Sequence, residues 1–280
     1  MRIPTGIFPC GRAVALGLIA ALTLAPMAAA QSSTGLKRLT LRQDLLGWEA
    51  VGRLDIGAKG YCSGTLIAPD LVLTAAHCIV SRGTPVDVST LTFRAGLRDG
   101  RSVAERAVAR AVMHPNYRPG GGSTAANIRY DAALLQLAQP IPAGLASPFT
   151  VSRVIGATPT VSVVSYAQDR DEALSWQGAC QVLGRQAGLL AFDCDVTFGA
   201  SGAPVFDRSG PRARIVSLIS SGRRAEDESL AFGMELPGVV ADLKAALRSG
   251  VGVFPKPEIS ARRLKVGGTN AGTGAKFLRP

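Results

Sequence analysis

The sequence predicts an all-β fold, either a sandwich or a barrel, followed by one C-terminal helix. Short apolar or alternating segments recur at close intervals, and glycine, proline or aspartate separates them, which is typical of antiparallel sheets. A helix is predicted only over Val239–Arg248, where apolar residues recur at helical spacing and Gly250 follows as a stop signal. The predicted strands include Tyr61–Ile67, Leu71–Thr74, Leu91–Ala95, Ala132–Leu137, Val161–Tyr166, Ala179–Leu183, Leu189–Phe192, Ala203–Phe206 and Ile215–Ile219.

The first thirty residues have the pattern of a signal peptide. Arg2 and Arg12 supply a basic start, Ala13–Leu24 an apolar stretch, and Ala28–Ala30 the small residues of a cleavage site. The apolar stretch is short for a membrane span, although an uncleaved anchor is the alternative. We therefore expect residues 1–30 to be removed on export, so that the working protein begins at Gln31 and is secreted or periplasmic.

The rest of the chain divides near a proline-rich segment, Gln139–Gly144, which is predicted to be a linker. We expect an N-terminal segment over 31–47, one β unit over 48–140, and a second β unit with the helix over 141–250. Residues 251–280 hold six basic residues against one acid. They are predicted to form a basic tail that is mobile or laid over the surface.

Charge and hydropathy narrow the class of partner. Loss of Arg2 and Arg12 lowers the formal net charge from +11 to +9, a balance that favours acidic surfaces or serves solubility alone. The basic residues do not alternate with aromatic ones, so nucleic acid is not expected. No later stretch reaches about 18 apolar residues, so after signal removal we expect no membrane contact. We also expect a monomer.

The cysteines predict disulfide bonds. Cys10 belongs to the signal peptide, which leaves four cysteines in an exported chain and therefore two bonds. Three pairings are possible, and chain order favours Cys62–Cys78 with Cys180–Cys194. Each bond would close a loop of about 15 residues, worth roughly 3 kcal/mol. Because no C-x-x-C spacing occurs, no metal site is predicted.

A histidine, an aspartate and a serine occur in the order needed for acyl-transfer chemistry. His77 directly follows a predicted strand and precedes Cys78. Asp131 opens the segment Ala132–Leu137, which places its carboxylate at the rim of a sheet, where it can accept a hydrogen bond from an imidazole. Taken alone Asp131 would be an ordinary turn residue, but its place between His77 and Ser201 makes it the best candidate to orient the histidine.

The candidate nucleophile Ser201 lies in the segment Gly199–Pro204. Gly199 and Gly202 allow a tight turn, in which the amides of Gly199 and Ser201 can point at one place and hold an oxyanion. A flexible surface turn would have a similar composition. His114 is the only other histidine; it is predicted to lie in an exposed turn and to have a structural role rather than a catalytic one.

These motifs together resemble the trypsin-like (chymotrypsin-fold) serine proteases, over roughly Trp48 to Leu247. Cys62–Ile67 followed by Leu71–Cys78 looks like the strand pair that carries the family's histidine and its adjacent disulfide. His114–Tyr117 is similar to a segment that precedes the family's aspartate. The resemblance implies two six-stranded antiparallel β-barrels with a C-terminal helix, and a triad of His77, Asp131 and Ser201 in the cleft between the barrels.

The chain departs from trypsin-type members in ways that point to their bacterial secreted and glutamyl-endopeptidase-like relatives. Ala200 replaces the aspartate that receives a new amino terminus on activation, so activation by that ion pair is not expected. The resemblance places Asp195 where an acid selects Lys or Arg, although Asp195 could instead satisfy backbone amides at a strand end. The strand after the nucleophile lacks the histidine of glutamate-selecting members. Substrate backbone contacts are implied for Ser220, Ser221 and Gly222.

The sequence therefore predicts a secreted or periplasmic serine endopeptidase that hydrolyses peptide bonds through an acyl-enzyme. Protein or peptide substrates are expected, with no metal and no cofactor. The alternative is a catalytically inactive protein of the same fold that binds a partner, because fold alone does not establish function.

Overall fold

The computed structural model describes residues 35–58, 60–154, 160–224 and 229–255 of the 280-residue chain. The predicted signal peptide with Cys10, the predicted start at Gln31, and residues 256–280 of the predicted tail lie outside the described residues. Within the described part, no helix is both long and apolar enough to cross a membrane.

Strands dominate the described part of the chain. Helical structure consists of α1 (Ala125–Ile128), α2 (Leu236–Ser249) and 3-10 turns at Arg42–Leu45, Ala76–Ile79 and Val88–Thr90. The strands are β1 (Leu36–Arg38), β2 (Val51–Ile56), β3 (Tyr61–Ala68), β4 (Leu71–Thr74), β5 (Val80–Ser81), β6 (Thr84–Pro85), β7 (Leu91–Ala95), β8 (Ala104–Met113), β9 (Ala133–Leu137), β10 (Thr160–Ser165), β11 (Ser175–Gln186), β12 (Leu189–Phe192), β13 (Pro204–Asp207), β14 (Arg214–Leu218), β15 (Ser221–Arg224), β16 (Ser229–Met234) and β17 (Val253–Phe254).

The first sheet closes into an antiparallel barrel. Its order is β17-β8-β7-β2-β3-β4-β9, and β8 also pairs with β9, so six strands form a closed ring. The side chains of Leu54, Leu73, Phe93 and Leu134 fill the interior and are fully buried. The Phe93 ring needs the glycine at Gly52, because a Cβ there would lie 2.5 Å from it.

The second sheet is the counterpart of the first and holds its own apolar core. Its order is β14-β13-β10-β11-β12-β16-β15, and β1 adds to β11. The ladder is open between β14 and β15, but Ser217 Oγ donates to the Met234 carbonyl at 2.8 Å and links β14 to β16. Val163, Phe192 and Val205 lie in the core of this sheet. The predicted fold class, two antiparallel β-barrels with a C-terminal helix, is confirmed.

Helix α2 packs one apolar face against the core of the first barrel. That face is formed by Leu236, Val239, Val240, Leu243 and Leu247. The helix ends where Gly250 adopts a left-handed conformation with φ of 78°, as a glycine stop does. After the helix, β17 pairs with β8, so the first residues of the predicted tail belong to the first sheet.

Aromatic side chains join the two barrels. Phe206 of β13 lies 5.1 Å from the Trp48 ring and 4.6 Å from the Phe149 ring, between ring centroids. Phe206 also belongs to the apolar cluster that fills the first barrel. Tilted aromatic pairs at these distances stabilise contacts beyond the area that they bury. The relative position of the barrels therefore depends on this cluster.

Both disulfide bonds have the pairing that chain order favoured. Cys62 is bonded to Cys78 and Cys180 to Cys194, with Cα–Cα distances of 6.2 and 5.1 Å. The first bond joins β3 to the 3-10 turn Ala76–Ile79. It therefore ties this turn to the barrel wall.

The ten-residue strand β8 was not among the predicted strands. Its sequence, Ala-Glu-Arg-Ala-Val-Ala-Arg-Ala-Val-Met, is rich in residues that favour helices. Pairing with β7 on one side and β9 on the other overrides this preference. Tertiary pairing of this kind cannot be read from the segment alone.

We expect Phe206→Ala to lower the free energy of unfolding by about 3–5 kcal/mol, because the change leaves a cavity between the barrels. Urea denaturation followed by tryptophan fluorescence measures the change. Phe198→Ala is the matched control, since the Phe198 side chain is 84% exposed and should cost little. Equal effects of the two substitutions would contradict the assigned role of the aromatic cluster.

Candidate active site

The His77 side chain lies at the rim of the first barrel. Strand β4 ends at Thr74, and the chain turns through Ala76–Ile79, which places the imidazole at the mouth of the barrel. The neighbouring Cys78 is buried and bonded to Cys62. The His77 side chain remains 37% exposed. The backbone at His77 is therefore held by the neighbouring disulfide, while part of the imidazole is open to solvent.

Asp131 meets His77 through the pairing of β4 with β9. Thr74, the last residue of β4, pairs with Ala133, the first residue of β9. Asp131 and His77 lie just beyond these paired ends and are therefore neighbours. Asp131 Oδ2 lies 2.7 Å from His77 Nδ1, and Asp131 Oδ1 accepts the His77 backbone N–H at 2.9 Å. The Asp131 side chain is buried. This contact favours the tautomer with the proton on Nδ1, which leaves Nε2 free to accept a proton.

Ser220 supplies a third hydrogen bond to the same carboxylate. Its Oγ donates to Asp131 Oδ2 at 2.5 Å, and its side chain is buried. Contacts between Ser220 and substrate were expected from the family resemblance, but this contact with Asp131 was not. Residues of the second sheet thus help to hold the aspartate of the first.

The turn around Ser201 is fixed by close backbone packing. Gly199 and Gly202 have φ of 86° and 75°, values that favour glycine. A Cβ at Gly202 would overlap Thr74 Oγ1 and the Ser63 carbonyl, and a Cβ at Gly199 would overlap a tyrosine ring. Both positions therefore require glycine, and the turn lies directly against the strands that lead to His77.

Ser63 of β3 holds this turn with its backbone and its side chain. Its N–H donates to the Ser201 carbonyl at 2.8 Å, and its Oγ donates to the Gly199 carbonyl at 2.9 Å. The same Oγ accepts the Tyr166 N–H at 2.9 Å. Sequence reasoning missed Ser63, because nothing in its local sequence shows that it is buried against a segment 136 residues away.

Two amides of the Ser201 turn have no acceptor among the described residues. These are the N–H groups of Gly199 and Ser201, whereas the Ala200, Gly202 and Ala203 amides all donate to backbone carbonyls. Free donors on alternate residues of a tight turn can converge on one oxygen atom. The turn has the donors that an oxyanion hole requires.

The Ser201 hydroxyl has no hydrogen bond to the His77 ring in the described structure. Ser201 lines a cavity of about 610 Å³ and His77 an adjoining cavity of about 440 Å³, and Ser123 and Ser220 line both. Catalytic hydrogen bonds are often long without substrate. Ser201 and His77 thus line neighbouring cavities that share part of their lining.

A glycine-rich loop beside His77 is held by one asparagine. Asn127 Oδ1 accepts the Arg118 N–H at 2.9 Å, and Asn127 Nδ2 donates to the Gly122 carbonyl at 2.9 Å. Tyr117 and Gly122 line the His77 cavity.

Burial raises the pKa of Tyr117 to about 12, with the charge of Asp131 adding to the effect. The Tyr117 hydroxyl therefore stays protonated at neutral pH.

Asp195 lies outside the set of residues that line the cavity at Ser201. It is buried, and its backbone N–H donates to Gln177 Oε1 at 2.8 Å. The cavity is lined instead by the residues that follow it, including Val196, Thr197 and Phe198, and by Ser221 and Gly222 of β15.

His114 lies apart from this site, and the expectation that it is exposed was wrong. Its ring is buried and stacks on Tyr130 at 4.7 Å between centroids. Asn116 N–H donates to His114 Nδ1 at 3.2 Å, and His114 Nε2 lies 3.4 Å from Asp242 Oδ2 on α2. Burial lowers the pKa of His114, and the Asp242 contact opposes this only in part.

One group of described residues has metal-ligand chemistry. Donor atoms of Cys62, His77 and Cys78 all lie within 4.8 Å of one another. Both sulfurs, however, form the disulfide, and a thiolate is the form of cysteine that binds metal. The oxidised protein therefore offers only the imidazole.

Comparisons with known proteins place the chain among peptidases. The trypsin-like peptidase domain family matches residues 62–211. The chain is 30% identical to glutamyl endopeptidase of Bacillus licheniformis over 156 residues, which is 55% of this chain and 47% of the relative. It is 32% identical to human serine protease 56 over 196 residues, which is 60% of this chain and 31% of the relative. The chain thus spans less than half the length of each.

Solved structures share the fold. A Glu endopeptidase structure matches with a TM-score of 0.62 at 17% identity and covers 77% of this chain and 97% of that chain. The protease Anisep from Arthrobacter nicotinovorans matches with a TM-score of 0.56 at 17% identity, over 70% of this chain and 93% of that chain.

The lowered pKa of His114 predicts a loss of stability in weak acid. The folded protein binds this proton less readily than the unfolded chain, whose histidine pKa is about 6.5. The contribution of neutral His114 to the free energy of unfolding is therefore complete above pH 6.5. It falls as the pH drops towards the folded-state pKa, by at most about 1.4 kcal/mol per pH unit. His114→Phe should flatten this slope in urea denaturation. An unchanged slope in His114→Phe would contradict the assignment.

Proposed function

Because the chain belongs to the trypsin-like peptidase family, we propose that it is a serine endopeptidase in which Ser201 is the nucleophile, His77 the base and Asp131 the residue that orients the imidazole. The observation that carries this proposal is the Asp131 carboxylate, buried against His77 Nδ1 at 2.7 Å. This contact favours the Nδ1–H tautomer, which leaves Nε2 free to accept a proton.

In the first step, Ser201 Oγ attacks the carbonyl carbon of the scissile bond. His77 Nε2 takes the hydroxyl proton, and Asp131 stays ionised and stabilises the resulting imidazolium. The imidazolium then gives this proton to the leaving amine, and the C–N bond breaks to leave an acyl-enzyme. Water then attacks the ester carbon while His77 takes a proton from it. His77 returns this proton to Ser201 Oγ as the acid is released, which restores the Ser201 hydroxyl. We propose that the Ser201–His77 hydrogen bond forms when substrate fills the cleft.

The negative charge of the tetrahedral intermediate would be held by the amides of Gly199 and Ser201. Their lack of any acceptor among the described residues supports this role. Donors fixed by the backbone do not have to reorient during the reaction, and each typically contributes about 3–4 kcal/mol to transition-state stabilisation.

The edge of the second sheet offers a place for the substrate backbone. Strand β15 is the last strand in its sheet and pairs only with β16 among the described strands. Ser221 and Gly222 of this strand line the cavity beside Ser201. An extended peptide could add there as one more strand, with main-chain hydrogen bonds that do not depend on its sequence. Protein or peptide substrates therefore fit the site.

The two disulfide bonds support a place outside the cytoplasm, because such bonds persist in oxidising compartments. We propose that the protein is secreted or periplasmic and works as a monomer. The proposed mechanism requires neither metal nor cofactor, and neither nucleic acid nor a membrane as a partner.

Labelling with a fluorophosphonate probe tests the proposed function, because the probe reacts with activated serines. We expect the folded, disulfide-bonded protein to be labelled and to cleave casein. Ser201→Ala and His77→Ala should abolish both signals, whereas Ser209→Ala, a change at an exposed loop serine, should keep them. A folded protein that neither reacts nor cleaves would contradict an enzyme and favour the alternative, a binding protein of the same fold.

A further inference from the structure

The cavity beside Ser201 has an apolar inner wall. Val196 and Ile219 line it, and Ile219 is 2% exposed. Val196 packs against the apolar core of the second sheet. Phe198 lies at the opening with 84% of its surface exposed. Neutral polar side chains form most of the remaining lining: Ser123, Gln168, Thr197, Ser201, Ser220 and Ser221. A side chain that enters from the cleft would therefore meet apolar and neutral polar groups together.

Val196 also contacts the strand that forms another part of the cavity lining. A Cβ placed on Gly222 would lie 2.6 Å from Val196 Cγ2, so the valine side chain reaches the backbone of β15. Val196 belongs to the segment that leads to Ser201, and Gly222 to the edge strand. Two of the segments that line the cavity are therefore in contact through this one apolar side chain.

The described residues that line the cavity offer no buried partner for a charged substrate side chain. Among the described residues that line it, Asp169 is the only charged one, and Asp169 is exposed. Asp195 does not line it. Thr197 Oγ1 is buried without a hydrogen-bond partner in the described structure, but one neutral hydroxyl does not offset an ionic charge. Burial of a carboxylate, ammonium or guanidinium group without a partner is strongly unfavourable.

We propose that this cavity binds the side chain that precedes the cleaved bond, and that it prefers uncharged side chains, such as those of Ala, Val and Leu, to charged ones. Val196 supplies an apolar contact to these side chains. This inference rests on the proposed function, because it takes Ser201 as the point of attack. The preference differs from the glutamate named for one relative, and from the Lys or Arg that Asp195 would select. In this account Asp195 has a structural role at the end of the preceding segment.

The test is a set of peptide substrates that differ only in the residue before the cleaved bond. Leu, Val, Ala, Phe, Glu and Arg are compared by kcat/KM, with the enzyme concentration set by fluorophosphonate titration. We expect at least tenfold higher values for Leu, Val or Ala than for Glu or Arg, since pocket contacts of this kind are worth factors of roughly 10–200. A preference for Glu or Arg would overturn the inference and leave the proposed function intact.

Two variants test the role of Val196. Val196→Ala removes two methyl groups from the cavity lining, so we expect the kcat/KM ratio of the Leu to the Arg substrate to fall about tenfold. Val251→Ala is the matched control, because Val251 is 70% exposed and outside the cavity; it should keep the wild-type ratio. An unchanged ratio in Val196→Ala would overturn the role assigned to Val196.

A binding measurement separates this inference from the proposed function. Peptides that end in Leu, Val, Glu or Arg are titrated into Ser201→Ala protein, and Kd is measured by fluorescence anisotropy. Tighter binding of the aliphatic peptides, by tenfold or more, supports the cavity preference even if the wild-type protein cleaves nothing, in which case only the proposed function fails. Equal binding of all four, or tighter binding of the charged peptides, would overturn the preference.

Discussion

The buried carboxylate of Asp131 is the constraint on which the rest of the site depends. It accepts hydrogen bonds from the His77 ring, the His77 backbone and the Ser220 hydroxyl. These donors come from the turn after β4 and from the segment before β15. The carboxylate therefore has all three hydrogen bonds only when both sheets are in place. A buried carboxylate without such partners would be strongly destabilising. Asp131 therefore links the packing of the two sheets to the tautomer and orientation of the His77 ring.

The turn around Ser201 is coupled to the same framework. Ser63 binds the carbonyls on both sides of Ala200, and Gly202 lies against Thr74, three residues before His77. These contacts occupy the Gly199 and Ser201 carbonyls, while the Gly199 and Ser201 amides have no acceptor among the described residues. The arrangement follows from backbone packing, which explains why glycine is required at two positions. Preorganised donors of this kind suit the oxyanion role that we propose for them.

Local sequence patterns were enough to predict some features and not others. His77, Asp131 and the Cys62–Cys78 pair lie at or near strand ends of one barrel, so short motifs located them. The role of Ser63 and the contact of Ser220 with Asp131 were missed, because the partners lie 136 and 89 residues away. Strand β8 was missed because Ala, Arg and Glu favour helices until neighbouring strands pair with them. The buried state of His114 depends on Tyr130 and Asp242, which no pattern around the histidine reveals.

The tautomers of the two histidines test the central claim most directly. The contacts of the two rings favour a proton on Nδ1 of neutral His77, which faces Asp131, and on Nε2 of neutral His114, because Asn116 N–H donates to His114 Nδ1. Nitrogen-15 NMR of ring-labelled protein at neutral pH distinguishes the two forms, and His114→Phe assigns the signals. We predict an Nδ1–H tautomer for His77 that persists in Ser201→Ala and is lost in Asp131→Ala. An Nε2–H tautomer of His77 in the wild-type protein would contradict the account.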